Sequence, residues 1–371
     1  MIKACSMKKI KQITPPTAKH NNQHLGNEVK GTQAKPRLSN FELLRLLSMF
    51  MVLLIHANFQ GVGTVQAAEV QATPLSGFTR TFFGYCCIVC VDVFVLISGW
   101  FGIRPKWEAF TKLLFQIAFI FFTIAALTLF FWPASVKDFV WGFLIGSDYW
   151  FIVSYIGLYI IAPVLNTFIE NVSKQTLLLF LVQFFCFQFL YSVYNDYAHF
   201  SSGYSTISFI GLYLLSRYLR LYPNRWTTLP AKCYLCLYAG LCLLAALLTT
   251  LTLYYGHGGV VLSVVVGYNY NSPLVISCAV ALLLAFNRLK FQNKFINTLA
   301  VSALSIYLIQ SHPLVRLHYY DFIHQVYEDT VGIVCILAIL GISLLMAVFC
   351  LSYDQLRLYC WALFSKLLHR L

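Results

Sequence analysis

Apolar runs of about twenty residues recur through this chain, separated by short polar turns, and they limit what it can fold into. They cover residues 41–60, 81–102, 109–131, 149–169, 176–194, 204–222, 232–254, 272–287, 298–318 and 331–352. A helix rises about 1.5 Å per residue, so each run is close to the length that crosses the ~30 Å hydrocarbon layer of a bilayer. In lipid the backbone must satisfy its own hydrogen bonds, which makes such runs helices. The predicted fold is therefore an all-α membrane protein, a bundle of about ten transmembrane helices. The eighth run is the shortest, and the sixth carries Ser, Thr and Arg, so these two are the weakest spans. The chain is 59% hydrophobic and 11% charged over 371 residues, with a mean hydropathy of +0.72, which excludes an ordinary soluble domain.

Charge placement orients the bundle. Lys and Arg collect before residue 41, in the turn after the second run (Arg104, Lys106, Lys112), between the sixth and seventh (Arg217, Arg220, Arg225, Lys232), after the eighth (Arg288, Lys290, Lys294) and near the C-terminus (Arg357, Lys366, Arg370). The alternate loops hold only Arg80, Lys137 and Arg316 but include Glu69, Asp138, Asp148, Asp196, Asp321, Glu328 and Asp329. By the positive-inside rule both termini are predicted to be cytoplasmic. The formal charge of +13 is then topological. Its scatter over five short elements argues against nucleic acid as a partner.

Residues 1–40 are basic and polar and are predicted to be a disordered cytoplasmic tail, 41–353 the transmembrane domain, and 354–371 an amphipathic cytoplasmic helix on the inner leaflet. The stretch SVKDFVWGFLIGSDYW before the fourth run reads as an interfacial helix on the outer side. Twelve cysteines include Cys86, Cys87 and Cys90 in a CCxxC, and Cys233 with Cys236 in a CxxC. No further ligands stand at metal-binding spacing, so they read as small packing residues and no metal is expected.

Ionisable groups inside the spans are the candidate site. Arg45 and His56 lie eleven residues apart in FELLRLLSMFMVLLIHANFQ, which on a helix puts them on one face, about 20° apart in azimuth and ~16 Å apart along the axis. Glu42 is one turn from Arg45 and is its natural ion-pair partner. Charged and titratable side chains are costly in lipid, which makes them functional candidates by default. His56 reads alternatively as a hydrogen-bonded packing residue, and Arg45 as a side chain snorkelling to the inner surface. Asp92, mid-span in VDVFVLISGW, reads as a helix-to-helix partner or as a group facing a polar cavity. Ser98 and Gly99 after it are small enough to admit another helix or a ligand. Tyr307, Gln310 and His312 fall together in the ninth run, His312 as either a site member or a helix-end residue.

With those residues in place, the chain resembles the acyltransferase family 3 integral membrane acyltransferases over residues 38–353. Glu42, Arg45 and His56 match that family's first-span signature of an arginine and a histidine separated by ten residues. VDVFVLISGW looks like its second-span block, usually similar to GVDLFFVLSGF. YWFIVSYIGLYIIAPVL, NSPLVI and IYLIQSHPLV look like later blocks of the branch that O-acetylates surface polysaccharides.

The resemblance implies transfer of an acyl group, usually acetyl from cytoplasmic acetyl-CoA, to a hydroxyl of an extracytoplasmic sugar or glycolipid in a bacterial inner membrane. It implies Arg45, Arg104 and Lys106 as the anion site for the donor, and His56, Arg45 and Glu42 as the catalytic set, with Glu42 orienting the arginine and His56 acting as the base. Asp92, Ser98, Tyr307, Gln310 and His312 are then substrate contacts or supports. Gln310 or Tyr307 is placed to polarise the thioester oxygen. Two departures stand out. Gln310 occupies a position where many relatives carry histidine, and Arg104 with Lys106 only approximates a paired-arginine motif. Without a fused extracellular domain, acceptor choice is expected to reside in the bundle or in a separate partner, and the expected partners are a homo-oligomer or a polysaccharide-assembly protein. The same intramembrane charges would also suit a secondary transporter of a polar surface-polymer unit, but no paired halves with matching broken helices are visible.

Overall fold

The structure is a computed structural model that describes residues 37–131, 149–194, 198–256, 265 and 267–368. Most of the N-terminal tail and almost all of the expected interfacial stretch before the fourth run lie outside these residues. The described residues are helical with connecting turns, and no strand occurs among them.

Each expected run has a helical counterpart. Helix α1 (Ser39–His56) continues into a π turn, Ala57–Gly61. The second run is preceded by a short α2 (Ala67–Ala72) and is built from α3 (Pro74–Ile88) and α4 (Cys90–Phe101), which meet at Val89. Then come α5 (Trp107–Phe131), α6 (Trp150–Asn171), α7 (Lys174–Tyr194), α8 (Thr206–Leu221), α9 (Ala231–Tyr255) and α10 (Pro273–Arg288). The chain ends in α11 (Lys294–Leu299), α12 (Ala303–Gln310), α13 (Pro313–Asp329) and α14 (Gly332–Leu368).

Seven segments among the described residues are long and apolar enough to cross a membrane, and the bent pair 294–310 and 313–329 would make an eighth. This multi-pass helical architecture is that of a membrane protein. Of the expected ten or so, length supports seven or eight among the described residues, since α8 and α10 have only 16 residues each, or about 24 Å of rise.

The ninth run is not one straight helix. It bends by 81° between α12 and α13. His312 sits at the break with an extended backbone (φ −62°, ψ 129°) and Pro313 opens the next helix. Proline disfavours the helical region for the residue before it and is well suited to a first helical position.

Residues 354–368, expected as a separate surface helix, continue α14 without a break. No Gly or Pro stands between Ile342 and Leu368 to stop it. Part of this stretch lies against α5, where the half-buried Trp361 and the exposed Phe364 are 5.1 and 5.6 Å from the Phe115 ring. Asp354 and Arg357 form a buried ion pair there, with Gln116 of α5 donating to Asp354 at 3.4 Å.

Helix α1 is central. It packs against α3, α4, α10, α11, α12 and α14, and 67% of its apolar window is buried against 22% for α9 and α14. Apolar residues all round its surface permit this, with Leu44, Val52, Leu53 and Ile55 all buried. Helix α8 crosses α4 closely at Gly99, where an added Cβ would lie 2.6 Å from the Tyr213 carbonyl. Ser216 of α8 donates to the Leu96 carbonyl at 2.6 Å, a polar tie at the same crossing.

Candidate active site

His56 is the last residue of α1 before the backbone loosens into the π turn. Such turns interrupt the regular ladder and often mark functional positions in helices. The His56 Nδ1 lies 2.7 Å from Oε1 of Gln310, the last residue of α12 and fully buried. The other end of that amide donates from Nε2 to the Tyr320 hydroxyl of α13 at 3.2 Å, and Ser311 Oγ donates to Oε1 at 3.4 Å. The amide oxygen thus lies on the imidazole side. The Nδ1 therefore carries the hydrogen it donates, and Nε2 keeps the lone pair.

The break between α12 and α13 makes this arrangement possible. It lets Gln310 meet His56 while Tyr320, ten residues on, returns to the same place. The Tyr320 ring stands edge-on to His56 at 6.4 Å. Its neighbour Tyr319 lies 2.9 Å from Ser343 Oγ and donates to the Leu53 carbonyl at 3.4 Å. Helix α13 is thus fastened to α1 beside the histidine.

On another side His56 borders a narrow cavity with Met49, Val52, Cys90, Phe151 and Tyr307. Tyr307 is buried and packs edge-on against Tyr149 and Phe151, at 6.2 and 5.4 Å. The Tyr149 hydroxyl donates to the Leu308 carbonyl at 3.0 Å, which fixes the ring beside α12. The cavity wall is mostly apolar, a setting in which a few placed polar groups decide orientation.

Arg45 lies about 16 Å along α1 from His56. Its Nη1 is 3.1 Å from both carboxylate oxygens of Glu42. The glutamate side chain is 8% exposed, the arginine 31%. Part of the guanidinium therefore stays open to another anion while Glu42 holds it. Its carbon lies 5.9 Å from the Phe101 ring centroid at the end of α4, within cation–π range. Arg104 and Lys106 follow that ring and are exposed. The Lys106 backbone is pinned by Tyr159, whose hydroxyl accepts from its N–H at 3.0 Å and donates to its carbonyl at 3.1 Å.

The other candidates differ in how their polar atoms are satisfied. Asp92 is fully buried, and neither carboxylate oxygen has a hydrogen-bond partner among the described residues. The polar contact expected to hold its helix to a neighbour is not made there, so the cost of burying the group is not offset by hydrogen bonding. Ser98 Oγ donates to the Phe94 carbonyl and lies 3.1 Å from the Tyr155 hydroxyl. His312 is fully buried and accepts from the Leu314 N–H through Nδ1 at 3.2 Å, capping α13. Its ring packs 5.2 Å from Phe121.

Tyr320 escaped the sequence reading. It lies in LHYYDF, where nothing but an aromatic doublet marks it. Phe101, between the two arginine-bearing ends, was equally unmarked. The arrangement can do two things. One end offers guanidinium groups to an anion, and the other offers an imidazole whose tautomer is set by a buried amide.

The sequence model of a family described as an acyltransferase domain matches residues 38–352. No curated protein and no solved structure matches the chain.

Proposed function

The chain belongs to the acyltransferase family 3 of membrane acyltransferases, and from that premise we propose that it moves an acetyl group from cytoplasmic acetyl-CoA to a hydroxyl of an extracytoplasmic polysaccharide or glycolipid. The observation that carries the reading is the 2.7 Å contact between His56 and Gln310. A general base must present a lone pair in a fixed direction, and an acceptor on Nδ1 leaves Nε2 for that task.

In the proposed reaction the acceptor hydroxyl oxygen attacks the thioester carbonyl while its proton passes to His56 Nε2. The tetrahedral intermediate collapses, the carbon–sulfur bond breaks, and the thiolate of CoA leaves. The imidazolium returns its proton to that thiolate, which restores the neutral histidine. Gln310 acts as a positioning residue, because its oxygen is engaged by the imidazole and by Ser311. Tyr307, bordering the same cavity, is then the residue placed to polarise the thioester oxygen.

The donor runs lengthwise beside α1 in this account. The α1 start faces the cytoplasm, with CoA phosphates near Arg45, Arg104 and Lys106 and the thioester near His56. The ~16 Å between Arg45 and His56 is of the order of a pantetheine arm. Glu42 holds the arginine in register without covering it. The test is mass spectrometry of cell-surface glycans with and without this protein. A loss of one acetyl mass per modified unit is expected, and an unchanged glycan profile would refute the assignment.

A further inference from the structure

We infer that Arg217 and Arg220 of α8, with Gly102 and Arg45, form a phosphate-ester site around the end of α4. The inference rests on the donor reading above for its occupant, and on the following geometry for its existence.

Arg45 of α1 and Arg220 of α8 converge on one ring, with guanidinium carbons 5.9 and 5.3 Å from the Phe101 centroid. Arg220 is also 6.0 Å from the Trp100 ring and donates through Nη1 to the Trp100 carbonyl. Arg217, one turn earlier on α8, brings Nη1 to 3.3 Å from the position a Cβ would take on Gly102. Gly102 itself has a φ of +77°, which disfavours any other residue. Backbone conformation and space both leave room for the arginine there.

The Arg217 Nε is buried and has no hydrogen-bond acceptor among the described residues. Topology alone does not explain that. A charge that only marks the inner side of a span keeps its head in water, as Arg225 does from an exposed position over Trp226. Arg217, half-buried, instead keeps its Nε inside without an acceptor, one turn from the exposed Arg220. Glu42 partners Arg45, but no carboxylate pairs with Arg217 or Arg220 among the described residues. Forked planar donors suit the oxygens of a phosphate ester.

Two molecules present that chemistry at a membrane surface, the diphosphate of CoA and the phosphodiester of an anionic lipid. The level of Arg45 on α1, one arm's length from His56, favours CoA.

The test uses the purified full-length chain. CoA and pantetheine, which lacks phosphate, are titrated into wild type, R217Q, R220Q, R217K and R220K, with R225Q as the surface control. In parallel, thermal stabilisation by phosphatidylglycerol over phosphatidylcholine nanodiscs is measured for each variant. R217Q and R220Q are expected to weaken CoA binding at least tenfold, the lysine variants less. Pantetheine binding and R225Q are expected to stay unchanged. If the glutamine variants lose only the phosphatidylglycerol effect, the phosphate site stands and its occupant is a lipid headgroup, which overturns the donor assignment. If they keep both CoA affinity and lipid response at wild-type levels, the inference is wrong. Wild type that fails to bind CoA would instead refute the proposed function, and the lipid measurement alone would then decide the site.

Discussion

His56 and Gln310 meet at 2.7 Å across 254 residues of sequence, imidazole nitrogen to amide oxygen. The partner is neutral. A carboxylate there would hold an imidazolium strongly, whereas an amide oxygen orients the ring and leaves the proton free to move on. That suits a base that must return its proton to the leaving thiolate within each turnover.

Replacing Gln310 by Leu removes the acceptor while keeping bulk. The histidine then loses its fixed tautomer and ring direction. The expected result is a fall in kcat of about 10- to 100-fold with KM for acetyl-CoA little changed, the pattern of a lost transition-state interaction. Steady-state kinetics on the purified variant checks this.

The base must be uncharged to accept a proton. On the acid side kcat/KM should therefore fall about tenfold per pH unit, the slope of one titrating group. A pH–rate profile with no acid limb would point away from an imidazole base.

Arg45→Gln removes one guanidinium from the donor end and leaves Glu42, 8% exposed, with the longer 3.9 Å contact to Arg37. A hydrogen bond to a charged group is worth about 1.5–3 kcal/mol, so KM for acetyl-CoA should rise on the order of 10- to 100-fold. Arg45→Lys should recover part of that, since a lysine keeps the charge but loses the fork. Initial rates over a range of acetyl-CoA concentrations separate the two.

Two stability predictions follow from packing. A methyl at Gly99 would stand 2.6 Å from the Tyr213 carbonyl, so Gly99→Ala should separate α4 from α8 and cost about 1–3 kcal/mol. Asp354→Ala leaves the buried Arg357 charge uncompensated, a change that typically costs about 3–5 kcal/mol. Thermal unfolding in detergent should show a lower midpoint for both, and replacing Asp354 and Arg357 together by Leu should be milder than Asp354→Ala alone.

The sequence carried the local part of this account. Arg45, Glu42 and His56 share a face because helical spacing is arithmetic, and the 3.1 Å ion pair agrees with it. The dipeptide His312-Pro313 also held the break in the ninth run, although apolar content made that run look continuous. What stayed hidden depends on contacts between distant helices. The pairing of Gln310 with His56, and of Arg220 with Arg45 through Phe101, is set by how α12 and α8 dock. No residue spacing encodes that. The turn of α14 toward α5 was hidden for a related reason, since Trp361 and Phe364 look the same whether they face lipid or Phe115.

The central claim is that His56 is the base of an acetyl transfer. It is tested most directly by following labelled acetyl from acetyl-CoA to a sugar acceptor in proteoliposomes, for wild type and His56→Ala side by side, with CoA binding measured on both. A positioned general base contributes about 10²- to 10⁴-fold, so the account predicts a loss of that size in the variant with CoA affinity intact. Transfer at the wild-type rate by His56→Ala would contradict it.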